Sequence, residues 1–421
     1  GELKRVGVAG CLVQRHRAKM LEWAPGIDAM IGVFDRDRIR PAVSGVETSE
    51  EGRPWWIAGN AMQAARQRGM QTADLTVQGR DGRGLGYWEQ ESQRIRLTPR
   101  HWSYLRVSEG CNQNCAFCTI PSIRGKMRSK PLERIIQEAQ SLMAAGAYEL
   151  NLIGQDTTNY GLDIGEDRGL VGLLESLHDV AAGHGGGWIR LMYAYPTNFS
   201  DDMIDAIASL SNIVKYIDMP LQHASDRMLD SMRRGVSAKA QSDLVSRLRD
   251  RIPGLALRTT FITGFPGEQE EDHQQLLDFI DEVQFDAMGV FRYSAEPGTV
   301  AARMDADPKL HVPDEVKHAR EADLMLKQQS IAFSNAEYLG AQGAIFDVLI
   351  DGPDAAEESV LSGRCYHQAP DVDARSLVVG LEEAASGTLV RCRTIGSDGY
   401  DLILEPEDRT EVRLPLPISG S

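Results

Sequence analysis

Glu109-Gly110-Cys111-Asn112-Gln113-Asn114-Cys115-Ala116-Phe117-Cys118 carries three cysteines at C-x3-C-x2-C spacing, directly after the apolar run Tyr104-Leu105-Arg106-Val107. Three thiolates can wrap one cubane iron–sulfur cluster and leave its fourth iron without a protein ligand. A structural zinc site wants four ligands, usually as two separate pairs. Ferredoxin-type clusters complete their set with a fourth cysteine. An iron left open is a place to bind and reduce something. The bland alternative is a zinc knuckle that borrows a distant fourth ligand.

The run before the cysteines is the first of a repeating pattern of apolar strand, short loop and amphipathic helix. A helix begins near Pro131, a residue suited to the first helical position. Ile135, Ile136, Ala139, Leu142 and Met143 share one of its faces, and Gly146 stops it. The strand Glu149–Ile153 follows. Further strands are expected at 188–193, 214–219, 257–263 and 287–293, with helices such as 201–210 and 268–283 between them. Alternating βα units imply a parallel sheet with helices outside it. Six units are too few to close an eight-stranded barrel, so the expected fold is α/β, a partial (β/α)6 barrel like an opened TIM barrel. Ligands in such sheets sit at the C-terminal ends of the strands, where the cysteine loop emerges. Polar clusters follow the other strands as well: Gly154-Gln155-Asp156-Thr157-Thr158, Gln222-His223-Ala224-Ser225, Gly264-Phe265-Pro266-Gly267 and Ser294–Gly298.

On either side of this region the pattern changes. Lys4–Cys11 reads as a buried strand ending in a Gly-Cys turn, and Ala29–Phe34 as a second strand. The segment 79–96, rich in Gly, Arg and Gln, reads as a linker or exposed hairpin. A long helix over 313–339 leads to short strands at 344–350, 377–379, 388–393 and 400–404. Asp351-Gly352-Pro353, Gly363-Arg364 and Ser397-Asp398-Gly399 mark turns between them, and the spacing suggests a small all-β barrel.

Composition narrows the functional classes. The chain has 421 residues, enough for two or three domains, and 42% of them are apolar. No apolar run approaches the length of a membrane span, and no secretory signal opens the sequence, so a cytoplasmic protein is expected. Six cysteines, three of them within eight residues, do not make a disulfide framework. The formal net charge is −16, the opposite of the usual balance in a nucleic-acid binder.

The cysteine loop, Gly154-Gln155-Asp156-Thr157-Thr158-Asn159-Tyr160-Gly161, Met219–Ser225 and Thr263–Glu268 together resemble the methylthiotransferases. These are radical S-adenosylmethionine (SAM) enzymes that insert sulfur into an unactivated C–H bond and methylate it. The resemblance spans nearly the whole chain. It implies residues 1–75 as an incomplete N-terminal methylthiotransferase domain, 76–98 as a linker, 99–335 as the radical SAM domain and 338–410 as a TRAM-like β-barrel.

One branch of the family modifies an adenosine of tRNA. The other, of RimO type, modifies the β-carbon of an aspartate in small-subunit ribosomal protein twelve. The run Gly154–Gly161 and the barrel segment Gly363–Asp373 resemble the second branch. A reading independent of resemblance agrees. Between Tyr338 and Pro406 stand four arginines (Arg364, Arg375, Arg391, Arg393) against twelve Asp or Glu. Such a surface would repel phosphate, whereas a basic protein would be steered to it. A third possibility, of another class, is a metal-stabilised module that only binds RNA or the ribosome.

The resemblance also implies roles. Cys111, Cys115 and Cys118 would hold the 4Fe–4S cluster that binds SAM. Phe117 occupies the place of an aromatic near the adenine, and Gln155 and Thr157 that of groups holding the methionine end. Arg258 is a reasonable partner for the SAM carboxylate, or else an ordinary ion pair. Gln222 and His223 would meet the ribose or the substrate. A flavodoxin- or ferredoxin-type donor would supply electrons. Family members carry a second, auxiliary 4Fe–4S cluster on three N-terminal cysteines, and Cys11 resembles the third of these. No other cysteine precedes Cys111. One thiolate cannot hold a cubane securely, so the sequence as given predicts one stable cluster. Reconstitution followed by iron analysis should find about four irons per chain, and about eight, two cubanes' worth, would overturn that expectation.

Overall fold

The computed structural model of the chain describes residues 6–16, 19–33, 35, 39–44, 55–57, 76–78, 96–357, 359–381, 383–407 and 412–413. Nearly all of the expected 79–96 linker therefore lies outside the described residues. Two compact units divide the chain, the smaller built on residues before 92 together with 110–113 and 119–126.

In the smaller unit, β1 (Gly7–Ala9), β2 (Ala29–Ile31), β3 (Trp55–Ile57) and β4 (Thr76–Gln78) form a parallel sheet in that order. The expected buried strand near the N-terminus is instead the half-exposed edge strand β1, while β2 is buried throughout. Small residues suit such an edge, because they have little apolar surface to hide. Gly10, at φ +107°, turns the chain directly into the helix Cys11–His16.

The larger unit contains β5 (Trp102–Arg106), the short hairpin-like pair β6 (Ser108–Glu109) and β7 (Arg128–Ser129), and then β8 (Glu149–Ile153), β9 (Trp188–Leu191), β10 (Ile213–Asp218), β11 (Ala256–Thr263) and β12 (Ala287–Arg292). β12-β11-β10-β9-β8-β5 is one six-stranded sheet, parallel at every pairing. One face of its strands is apolar, with Leu150 and Leu152 of β8 and Ile189 and Leu191 of β9 in the core against the helices, while the alternating positions of the other face include Glu149, Asn151 and Arg190. The helix Leu132–Ala144 shows how the pattern works: Ile135, Ala139 and Met143, each four residues apart, are buried against the sheet, and Gly146 at φ +95° ends the turn.

The helix Asp314–Gln342 ends at Gly343 in the left-handed conformation, a common glycine cap. Beyond it lie β13 (Ile345–Pro353), β14 (Leu361–Arg364), β15 (Ser376–Val378), β16 (Leu389–Asp398), β17 (Asp401–Pro406) and β18 (Val412–Arg413). Pairing of β13 with both β14 and β16 closes a five-stranded barrel, β13-β14-β15-β17-β16, with β18 added beside β16. Two expected turns are corrected here. Gly363-Arg364 lies inside β14 and Asp351–Pro353 inside a bulged β13. Gly363 is small because a Cβ would run into the Leu349 carbonyl at 2.7 Å, not because the chain reverses there.

The small barrel and the parallel sheet share a buried polar seam at the strand starts. Glu149, the first residue of β8, has no solvent exposure. It accepts from Arg190 Nε of β9 at 2.7 Å and from Arg364 of β14. Arg364 Nε also donates to Asp351 at 2.9 Å, and His101 bonds the same carboxylate at 2.6 Å. Arg190 Nη1 donates to the Tyr366 carbonyl at 2.6 Å, and the Tyr216 hydroxyl donates to Asp373 at 2.7 Å. Tyr366 and Ala369 fill the space between, against Trp188, Val214, Tyr216 and Ala256.

Burial pushes the Glu149 carboxyl up, but Arg364 and Arg190 outweigh it and hold the group below the ordinary glutamate value. A carboxylate with a lowered folded pKa stabilises the fold at neutral pH and loses that contribution as pH falls through the folded value. Replacing Arg364 by Met leaves Glu149 and Asp351 short of a partner. Chemical denaturation should find Arg364→Met less stable by about 3–5 kcal/mol at neutral pH, with the deficit shrinking in acid. A change below about 1 kcal/mol would mean that the seam is not holding the two parts together.

Candidate active site

The C-terminal ends of the parallel strands are joined by loops that hold one another through backbone bonds. The cysteine loop opens at Gly110, φ +83°, where a Cβ would collide with the carbonyl oxygens of Gly125 and Lys126. The Cys111 amide donates to the Gly125 carbonyl at 3.2 Å, and its buried sulfur accepts from the Gln113 amide at 3.4 Å. Further along, Ala116 is fixed on both sides: its amide donates to the Met232 carbonyl and its carbonyl accepts from the Ala301 amide, each at 2.9 Å. The Cys118 amide donates to the Cys115 carbonyl at 3.2 Å, turning the chain between these two cysteines.

Phe117 stands half-buried beside Met228, Met232, Phe265, Tyr293 and Ala301. Gln155 is half-buried on the loop after β8. Thr157, two residues on, is fully buried, and its hydroxyl donates to the Met192 carbonyl at 2.8 Å. It therefore ties the loop after β8 to the loop after β9. Gln222 adopts φ +74° and bridges to β11, its amide donating to Thr260 and its carbonyl accepting from Ile262.

His223 has no exposure. Its Nδ1 accepts from the amides of Ala224 and Ser225 at 2.9 and 3.0 Å, which assigns the proton to Nε2. Nε2 stands 4.0 Å from Glu268, too far for a hydrogen bond. The ring is sealed in the loop and offers no atom to a ligand at the surface.

Arg258 lies apart from this rim, well short of the end of β11. It donates to Asp218 at 2.7 Å and its Nε stands 3.3 Å from Asp373 of the small barrel. The expected carboxylate partner is thus an ion pair joining β10, β11 and the barrel. In the smaller unit, Cys11 begins its helix, and Arg124 Nη2 donates to its sulfur at 3.2 Å.

Sequence reasoning passed over Arg234 and Tyr195. Arg234 Nη1 donates to Cys115 Sγ at 3.3 Å, and its guanidinium lies over the Tyr195 ring, 4.4 Å from the centroid. The Tyr195 hydroxyl donates to the Arg234 carbonyl at 2.8 Å. Burial pushes that phenol up to about 12, with the Arg234 charge opposing and Cys115 adding to the rise. The only signal in the sequence was the pair Arg233-Arg234 before a glycine.

All six cysteines are thiols rather than disulfides. Among the described residues no three His, Cys, Asp or Glu side chains are gathered as a metal site. The donors nonetheless suit an iron–sulfur cluster, since thiolate sulfur is its protein ligand and a guanidinium and a backbone amide already point at two of the three sulfurs.

Comparisons with known proteins identify the family. Residues 105–280 match the Radical SAM superfamily and residues 343–406 match the TRAM domain. A ribosomal protein uS12 methylthiotransferase RimO of Symbiobacterium thermophilum is 37% identical, over 100% of this chain and 78% of its own length. Its counterpart in Anaeromyxobacter sp. (strain K) is 38% identical, over 99% of this chain and 81% of its own. That of Geobacter sulfurreducens is 37% identical, over 96% and 83%.

His223 supplies a test of the site geometry. Burial is the main reason that its pKa is lowered to about 3 from the ordinary 6.5. Protonation therefore favours the unfolded chain, and this residue's contribution to stability declines as pH falls from about 6.5 toward 3. Nitrogen-15 NMR of the imidazole should find His223 neutral with the proton on Nε2 and no titration between pH 5 and 8. An inflection near pH 6.5 would show the ring to be open to solvent.

Proposed function

Because the chain belongs to the RimO ribosomal protein uS12 methylthiotransferases, we propose that it inserts sulfur into the β-carbon C–H bond of an aspartate of uS12 and methylates it. Cys111, Cys115 and Cys118 would hold a 4Fe–4S cluster as thiolates. That cluster, when bound with SAM, supplies the electron that makes SAM able to take hydrogen from a carbon no acid–base group could deprotonate. The chain's own part is placement and dryness. Ala116 is pinned to two neighbouring segments, so the sulfurs on either side are presented by a fixed backbone. Phe117 and its apolar neighbours keep water from one flank of the loop. Thr157 ties down the loop that carries Gln155, and Gln155 and Gln222 would offer polar groups to SAM. Cys11 would be a ligand of the auxiliary cluster. A flavodoxin- or ferredoxin-type donor and a cytoplasmic location complete the reading. Among the described residues no helix is long and apolar enough to cross a membrane.

One observation carries the choice of a protein substrate over tRNA. Each of the four arginines between Tyr338 and Pro406 is already committed to a carboxylate. Arg364 pairs with Glu149 and Asp351, and Arg375 with Asp354 and Asp401. Arg391 pairs with Asp347 and Glu407, and Arg393 with Glu407. None of these four is without a carboxylate partner, while Asp371, Glu383, Asp398 and Glu405 face solvent. A basic ribosomal protein fits that surface.

The experiment is anaerobic incubation of reconstituted protein with SAM, dithionite and either uS12 or a tRNA oligonucleotide. Methionine and 5′-deoxyadenosine should be released, and mass should be gained on uS12 alone. Cys115→Ala should abolish the cleavage while circular dichroism still reports a folded β-barrel. Mass gained on the RNA alone would select the tRNA-modifying branch, and no SAM cleavage at all would leave a binding module.

A further inference from the structure

The helix Asp226–Ser231 is stopped by a residue that has no glycine's freedom. Arg233 adopts φ +58°, its amide donating to Asp230, and the Arg234 amide folds back to Leu229, each at 2.9 Å. A left-handed non-glycine residue is costly and persists only where its surroundings demand it. Its effect here is to send the next side chain, Arg234, beneath the cysteine loop.

Arg234 is 5% exposed, so its charge is largely removed from water. Its Nη2 donates to the Pro220 carbonyl at 2.7 Å, its Nη1 to Cys115 Sγ at 3.3 Å, and Tyr195 covers one face of the guanidinium. Its Nε has no partner. Among the described residues it makes no ion pair with any carboxylate, whereas the other buried arginines, Arg106, Arg190, Arg320 and Arg364, each have one. A buried guanidinium cannot shed its proton, and leaving it without a counter-charge costs several kcal/mol. The nearest atom able to carry negative charge is the sulfur of Cys115.

On the reading of the loop given above, we propose that Arg234 is a positioning residue for Cys115 and the fixed counter-charge of the cluster this thiolate would ligate. It thereby raises the cluster's reduction potential. Adding an electron makes the cluster more negative. A permanent positive charge held in a low-dielectric site beside one ligand sulfur favours that reduced state. The carbonyl of Pro220 and the ring of Tyr195 fix the direction of the fork, so the charge cannot swing away to solvent.

The test uses the full chain, reconstituted anaerobically, as wild type, Arg234→Lys and Arg234→Gln. Iron and sulfide are counted, and the cluster is then titrated reductively by electron paramagnetic resonance without SAM. Removing the charge in Arg234→Gln should shift the oxidised-to-reduced ratio at a given potential about tenfold toward oxidised, which for one electron is 59 mV. Arg234→Lys should recover most of that shift. Loss of iron from Arg234→Gln with retention in Arg234→Lys would support the same role. An unchanged potential in Arg234→Gln with iron retained overturns it. So does a shift or iron loss equal in both variants. An unchanged potential joined to lost SAM affinity would place the charge on SAM instead and also overturn it. A wild-type chain that takes up no iron would sink the cluster reading itself, and this proposal with it.

Discussion

A single carboxylate without solvent exposure, Glu149, lies against two guanidinium groups from different parts of the chain, Arg190 and Arg364. Each arginine alone would be an expensive buried charge, and the carboxylate alone would be protonated. Together they satisfy one another, and through Asp351 of the small barrel the network returns to His101, just before β5. The cost of desolvating these groups is recovered only when β8, β9 and β14 are all in place. Apolar packing would tolerate several ways of setting a small barrel against a sheet. This seam admits one, because Arg364 must meet Glu149 and Asp351 at the same time.

That constraint sits at the strand starts, and the chemistry at the strand ends. The sheet between them is continuous, and its strands from β5 to β11 are largely buried, so the ends are presented by a packed body. At the rim the backbone itself departs from the ordinary. Tyr193, Gln222 and Arg233 all have positive φ without being glycine, and each follows a parallel strand or the short helix beside it. Such conformations cost on the order of 1–3 kcal/mol each and gather where geometry matters more than stability. Here each one is held by bonds to a strand or helix. Tyr193 is fixed by the Asp218 carboxylate, Gln222 by β11 and Arg233 by the helix it ends.

What the sequence made legible follows from distance along the chain. The βα alternation was readable because each strand is a short run rich in apolar residues and each helix buries one face, and both patterns are local. The cysteine spacing was readable for the same reason. β14 was missed because Gly363 and Arg364 look like turn residues. Their true reasons are a barrel wall passing within van der Waals distance and a carboxylate 215 positions away in the chain. Arg258 was read as a partner for the SAM carboxylate, because a guanidinium matches a carboxylate, or else as an ordinary ion pair, and nothing local reveals that Asp218 and Asp373 hold it. Arg234 escaped notice because its partner, Cys115, lies 119 positions before it. Pairings between distant charges leave no period behind, and these are the pairings that set the site.

The same pairings change the meaning of the barrel's composition. Four arginines among twelve acids would still be compatible with RNA if the four were clustered and open, since a small basic patch can dock phosphate on an acidic protein. They are neither. Arg364 is buried in the seam, and Arg375, Arg391 and Arg393 lie against carboxylates of their own sheet. Surface pairs of this kind add little stability, but they neutralise the cations and leave the unpaired acids to set the local field. A field of that sign raises the encounter rate of a basic polypeptide and lowers that of a polyanion. The barrel's charge thus acts on which partner approaches, while its structural work is done where no partner can reach, at Glu149.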